Sequence, residues 1–131
     1  VLAEADGERP VVTLLAVGAM VPLARDVAER LRQHDLSPRV VNARFVKPLD
    51  LDELRRAAGS RLVVTLEEGA LAGGFGSAVH EASVQHKLGL SDRLHHEGIP
   101  DAFVSHGTRE QLFAEIGLEA EPVTARILEQ L

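Results

Sequence analysis

The chain has 131 residues, 45% of them hydrophobic, 26% charged and 3% aromatic, with no cysteine and a net charge of −6. That balance suits one folded domain with a single core and excludes a disordered chain, while the missing thiols remove disulfides and thiolate metal sites. The acidic charge and the scarcity of aromatics argue against nucleic-acid partners, and no apolar run approaches a membrane span, so a soluble, cytoplasmic protein is expected.

Val1 stands where a translation product has Met, so the chain reads as processed or as a piece of something longer. Val1-Leu2-Ala3, followed by a polar stretch with Asp6-Gly7, suggests a short edge strand and a turn. Val11 to Val17 is apolar and β-branched, as a central strand should be. Leu23, Val27 and Leu31, with charges between them and Pro22 ahead, predict an amphipathic helix from about Val21 to about His34. Arg39 to Ala43 is the next strand. Asp50 then caps a helix over Leu51 to Ala58, with Glu53 as its capping-box partner and Gly59 at its end.

Leu62 to Leu66 is a buried strand that runs into Glu67-Glu68 and then into Gly69, Gly73, Gly74 and Gly76. Phe75, Val79, Ala82 and His86 follow at helical spacing, and Leu88 to Asp92 breaks the helix. The α/β rhythm calls for a strand over Arg93 to Ile99, although Leu-His-His-Glu-Gly-Ile does not demand one. Ala102 to Val104 is a short extended piece. Thr108 and Gln111 form a second capping box for a helix with Leu112, Phe113 and Ile116 on its core side, stopped by Gly117. Val123, Ile127 and Leu131, with Pro122 in the first turn, mark the last helix. The whole predicts a three-layer α/β/α sandwich with a mostly parallel five-stranded sheet, its first strand antiparallel at one edge.

Sites in open α/β sheets gather beyond the carboxyl ends of strands, which makes the glycine loop the first place to look. Glycines at a helix start suit phosphate binding, yet Val79 stands where a dinucleotide fingerprint needs Gly or Ala, and no Gly-Lys-Ser/Thr follows. The loop equally suits a tight turn with close packing against a neighbouring helix or subunit. Glu67 and Glu68 point to opposite faces, so one can cap the helix start at Gly74–Ser77 and the other can reach a partner; solvated strand-end charges are the plainer reading. The six histidines do not reach metal-ligand spacing: His80 and His86 lie on different helix faces, and His95 and His96 on opposite sides of a strand. Gly76-Ser77 lacks the second glycine of a nucleophile elbow. The residues alone thus give an α/β domain with a glycine-rich interface loop and no complete catalytic constellation.

Three stretches together, Asn42 to Asp50, Thr65 to Val79 and Gly98 to Glu110, resemble the C-terminal domain of the 1-deoxy-D-xylulose-5-phosphate synthase family, within the transketolase superfamily. Arg44-Phe45-Val46-Lys47-Pro48-Leu49-Asp50 and the Glu-Glu glycine loop occur across the superfamily in looser forms. Gly98-Ile99-Pro100-Asp101-Ala102-Phe103 with His106-Gly107-Thr108-Arg109-Glu110 is more particular to the synthases. His95-His96-Glu97 departs from the family, which usually has an apolar strand there. The resemblance implies one domain over residues 1–131, a fragment of an enzyme that condenses pyruvate with glyceraldehyde 3-phosphate using thiamine diphosphate and Mg²⁺. It implies a homodimer, with cofactor, metal and catalytic residues in domains outside this chain and none within it. Glu67, Glu68, Gly69, Gly73, Gly74, Phe75, Gly76 and His80 are then the candidate interface residues. The alternative is a free-standing module that holds a phosphorylated ligand at the glycine loop.

Overall fold

Four parallel strands carry the fold in the computed structural model, which describes residues 11–43, 50–70, 74–99, 108, 111, 113–114 and 117–131. The elements are β1 (Val12–Ala16), a 3-10 turn (Gly18–Met20), α1 (Val21–Arg32), β2 (Pro38–Asn42), α2 (Leu51–Ala57), β3 (Leu62–Ala70), α3 (Phe75–Gln85), β4 (Leu94–Ile99) and α4 (Ala120–Gln130). Strand order is β2-β1-β3-β4. In register, Leu14 lies beside Val40 on one side and Val64 on the other, and Thr65 lies beside His96. The fold class is the expected sandwich, with four strands among the described residues instead of five. The edge strand expected near Val1, the loop over 44–49 and the extended piece at 102–104 lie outside those residues.

Alternation along the strands splits the core into two layers. Val12, Leu14, Ala16, Val40, Leu62, Val64 and Leu66 face α1 and α4, meeting Val27, Leu31, Val123 and Ile127. Leu15, Val41 and Val63 face α2 and α3, meeting Leu54, Ala57, Phe75 and Val79. Burial of these side chains is what holds each helix to the sheet, at roughly 1.5–3 kcal/mol for a fully buried Val, Leu, Ile or Phe.

The caps follow the sequence with one change. Asp50 accepts from the Glu53 amide at 3.0 Å, but the Glu53 carboxylate faces Arg39, which is buried in edge strand β2. A buried cation takes the carboxylate in preference to the helix-cap amide, because an unpaired buried charge costs far more. Thr108 and Gln111 make both halves of the second capping box, at 2.8 and 3.1 Å. Gly117 adopts φ +72°, and the Leu118 amide donates back to the Phe113 carbonyl at 2.8 Å, which closes that turn in the left-handed conformation glycine favours. His86, expected at core-side spacing, is exposed just past the end of α3. Phe113 packs on the α1/α4 layer as expected, while Leu112 and Ile116 are outside the described residues.

Arg93 ties the end of α2 to the entry of β4. Its guanidinium donates to the carbonyls of Ala58 at 3.1 Å, Ser60 at 2.5 Å and Gly89 at 3.0 and 3.2 Å. Thr13 and Ser60 share a buried hydroxyl pair at 2.6 Å beneath it. No helix among the described residues is long and apolar enough to cross a membrane.

Candidate functional site at the carboxyl ends of the strands

β1 and β3 are neighbours, yet the chain leaves them in opposite directions: from β1 over α1 to β2, and from β3 over α3 to β4. A doubly wound sheet opens its binding crevice at such a switch point. Here that switch point lies between the 3-10 turn after β1 and the end of β3. Val17 donates to the Leu66 carbonyl at 3.0 Å, and Gly18 takes φ +53° to make the turn.

Glu67 lies on the α3 side of β3, as Thr65 does, and α3 begins directly above it. The N-cap, Gly74, has no side chain with which to cap. Glu67 fills that role from the strand: one carboxylate oxygen accepts from the Phe75 amide at 2.5 Å and the other from the Gly76 amide at 3.4 Å. It is 5% exposed, so it is a buried cap and not a solvated strand end. The negative charge sits where the orphan amides and the helix dipole favour an anion. A ligand phosphate seeking the same amides would have to displace it.

The other candidate residues spread around this cap. Glu68 is half-buried; Gly69 continues β3; Gly73 lies outside the described residues. Phe75 and Gly76 are buried, Gly74 is half-buried, and His80 is exposed one turn further along α3. Glu67, Phe75 and Gly76 therefore shape the turn from beneath, whereas His80 is on its surface.

Sequence spacing gave no hint of a contact between Gly76 and β4. His96 Nδ1 and the Thr65 hydroxyl are 2.6 Å apart, and a Cβ on Gly76 would come within 2.6 Å of that same nitrogen and 3.0 Å of the Thr65 oxygen. Only glycine lets α3 close onto the sheet here. Burial lowers the affinity of His96 for a proton, and the nearby His95 and His80 lower it further.

On the opposite face of β4, His95 Nε2 is 2.5 Å from Glu97 Oε2, and Arg126 of α4 donates to both Glu97 oxygens at 2.9 and 2.6 Å. Arg126 also donates to the Gly117 carbonyl at 2.5 Å. Burial alone would raise the Glu97 carboxyl, but the His95 and Arg126 hydrogen bonds and the Arg126 charge hold it below the usual carboxylate range. This network joins β4, the Gly117 turn and α4; it was invisible in sequence because Arg126 is 29 residues from Glu97.

These donor sets do not match a thiamine diphosphate and Mg²⁺ centre. Among the described residues no group of three His, Asp or Glu side chains could hold a metal ion. The buried carboxylates Glu67 and Glu97 are committed to amides and to Arg126, so no catalytic step is assigned to them.

Comparison with known proteins fits this geometry. Residues 2–123 match the family model described as the transketolase C-terminal domain. The chain belongs to the transketolase C-terminal domain family. It is 53% identical over 121 residues to the 1-deoxy-D-xylulose-5-phosphate synthase of Pelotomaculum thermopropionicum, covering 91% of this chain and 19% of that protein. It is 49% identical over 117 residues to the synthase of a Synechococcus strain, covering 88% of this chain and 18% of that protein. The chain thus spans about a fifth of the length of the curated relatives it matches. A split-gene transketolase, described as an inactive β4 tetramer, superposes with TM-score 0.82 and 31% identity over 97% of this chain and 41% of its own. A Pichia stipitis transketolase mutant shares the fold at TM-score 0.67 and 17% identity, over 96% of this chain and 17% of its own. These relatives support a synthase C-terminal domain.

Proposed function

We propose that this domain serves as the C-terminal scaffold and dimer contact of a 1-deoxy-D-xylulose-5-phosphate synthase. The full cytoplasmic enzyme condenses pyruvate with glyceraldehyde 3-phosphate, loses carbon dioxide and forms 1-deoxy-D-xylulose 5-phosphate for isoprenoid, thiamine and pyridoxal synthesis. Thiamine diphosphate and Mg²⁺ belong to its other domains. The observation that carries the scaffold reading is the Glu67 cap. An internal carboxylate satisfies the amides that an anionic ligand would need, which leaves the turn suited to packing. The same observation weighs against a phosphate-binding module at this loop.

Glu68, Gly74 and His80 are the surface through which a second copy is met, with Glu67, Phe75 and Gly76 setting its shape. Gly74 has φ −92°, a conformation that a β-branched residue also adopts, so Gly74→Val adds bulk at the turn without backbone strain. In the full-length enzyme this change should raise the dimer dissociation constant at least about tenfold, with the far-UV spectrum unchanged. An unaltered dissociation constant refutes the contact. Turnover of the two substrates by this chain alone, with cofactor and metal supplied, would refute the scaffold role; turnover only after adding the rest of the enzyme in trans supports it.

A further inference from the structure

His96 is the one histidine among the described residues that is built into the closure of a helix onto the sheet. Its Nδ1 meets the fully buried Thr65 hydroxyl at 2.6 Å and faces the bare Cα of Gly76, the second residue of α3. We infer that His96 is a protonation-controlled latch on the start of α3: neutral, it lets the helix seat against β3 and β4; charged, it loosens Phe75 to Val79.

The argument is electrostatic and steric. A charged imidazole carries hydrogens on both nitrogens, so Nδ1 can only donate to Thr65, and the half-buried ring loses water on the side facing Gly76, where the gap does not admit even one methyl group. From β4, His95 is the adjacent residue; from α3, His80 is the nearest titratable group; both oppose a further positive charge. The amino end of α3 carries partial positive charge of its own. From β3, Glu67 is the carboxylate beneath the same helix start, held by the Phe75 and Gly76 amides, and Glu68 is the half-buried residue after it. Among the described residues, no carboxylate offsets the new charge strongly enough to reverse that effect. The folded-state value of His96 lies below its ordinary 6.5, so the neutral form is favoured in the fold. Its contribution is full above that ordinary value and is lost as pH falls through the lowered one.

Peptide-resolved hydrogen exchange on the full-length enzyme tests this at about pH 8 and about pH 5.5. Protection across residues 75–79, corrected for intrinsic rate, should fall roughly threefold or more at the lower pH relative to α1, which contains no histidine. In His96→Asn, whose neutral amide can still bond Thr65, the two pH values should agree. An unchanged wild-type profile overturns the inference, as does a His96→Asn variant that keeps the wild-type fall; His96→Gln replaces it if Asn is not folded. The consequence for self-association rests on the dimer reading. A fall in protection with no change in the dimer dissociation constant would support the latch and refute that contact.

Discussion

Gly76→Ala adds a single methyl group where, among the described glycines, a side chain would meet its neighbours most closely. The new Cβ would lie 2.6 Å from His96 Nδ1, 3.0 Å from Thr65 Oγ1 and 3.1 Å from His96 Cε1. Nδ1 is near the root of the imidazole and cannot yield by flexing a chain end, so the ring must swing and its bond to Thr65 must break. A buried polar group left unpaired costs about 1–3 kcal/mol, and overpacking adds about 1–3 kcal/mol. Alanine returns about 1 kcal/mol in helix propensity. The net expectation is a loss of about 3 kcal/mol, or roughly 9–15 °C in melting temperature for a domain of this size. Urea melts on Gly76→Ala, His96→Ala and the double variant close a thermodynamic cycle. Removing the imidazole makes room for the methyl group, so the double variant should be more stable than the sum of the singles by about 1–3 kcal/mol. Additivity within about 0.5 kcal/mol would refute the claim that His96 is what forbids a side chain at 76.

Two further changes test the buried carboxylates. Glu67→Ala should cost about 1–3 kcal/mol by stranding the Phe75 and Gly76 amides, whereas Glu67→Gln, which retains an acceptor oxygen, should cost about half as much; equal losses in urea melts would mean that the amides are not what Glu67 serves. Arg126→Met should cost about 2 kcal/mol, a buried-pair loss discounted because Arg126 is 35% exposed. The Glu97 carboxyl is held low in the fold, so its contribution is present above the ordinary carboxylate value and lost as pH falls through the lowered one. Removing Arg126 lets that value rise, so the acid-unfolding midpoint should move to higher pH, and an unmoved midpoint contradicts the pairing.

Periodicity made the layers legible. Leu23, Val27 and Leu31 announced α1, and Val123 and Ile127 announced α4, because a helix buries residues at i and i+4 whatever partner it meets. The Asp50 and Thr108 caps were equally readable, since capping is decided within four residues. What could not be read were pairings between residues far apart in the chain. Arg39 with Glu53 looked like a strand charge and half a capping box, and the switch-point crevice between β1 and β3 depends on strand order, which no local pattern encodes. Glu67 falls between the two cases: its position ahead of the helix pointed to a cap, and the eight-residue reach to Phe75 needed the fold.

β4 shows why a polar segment can still be a strand. Read alone, Leu94-His95-His96-Glu97 lacks the apolar continuity that a strand packed on both faces usually has. In place, Leu94 joins the α2/α3 layer and His96 bonds Thr65 on that same face. On the other face His95 and Glu97 bond each other and Arg126. His96 and Glu97 spend their hydrogen bonds on partners fixed by other elements, and His95 bonds Glu97 within the strand, so Glu97 is buried without orphaned charge. The same economy makes it demanding. An apolar residue at 97 would leave the Arg126 guanidinium without its carboxylate, and one at 96 would leave the buried Thr65 hydroxyl without its ring nitrogen. The histidines and the glutamate of β4 are therefore best understood as a set matched to Thr65, Gly76 and Arg126, and a change in one is tolerated only when its counterpart changes with it.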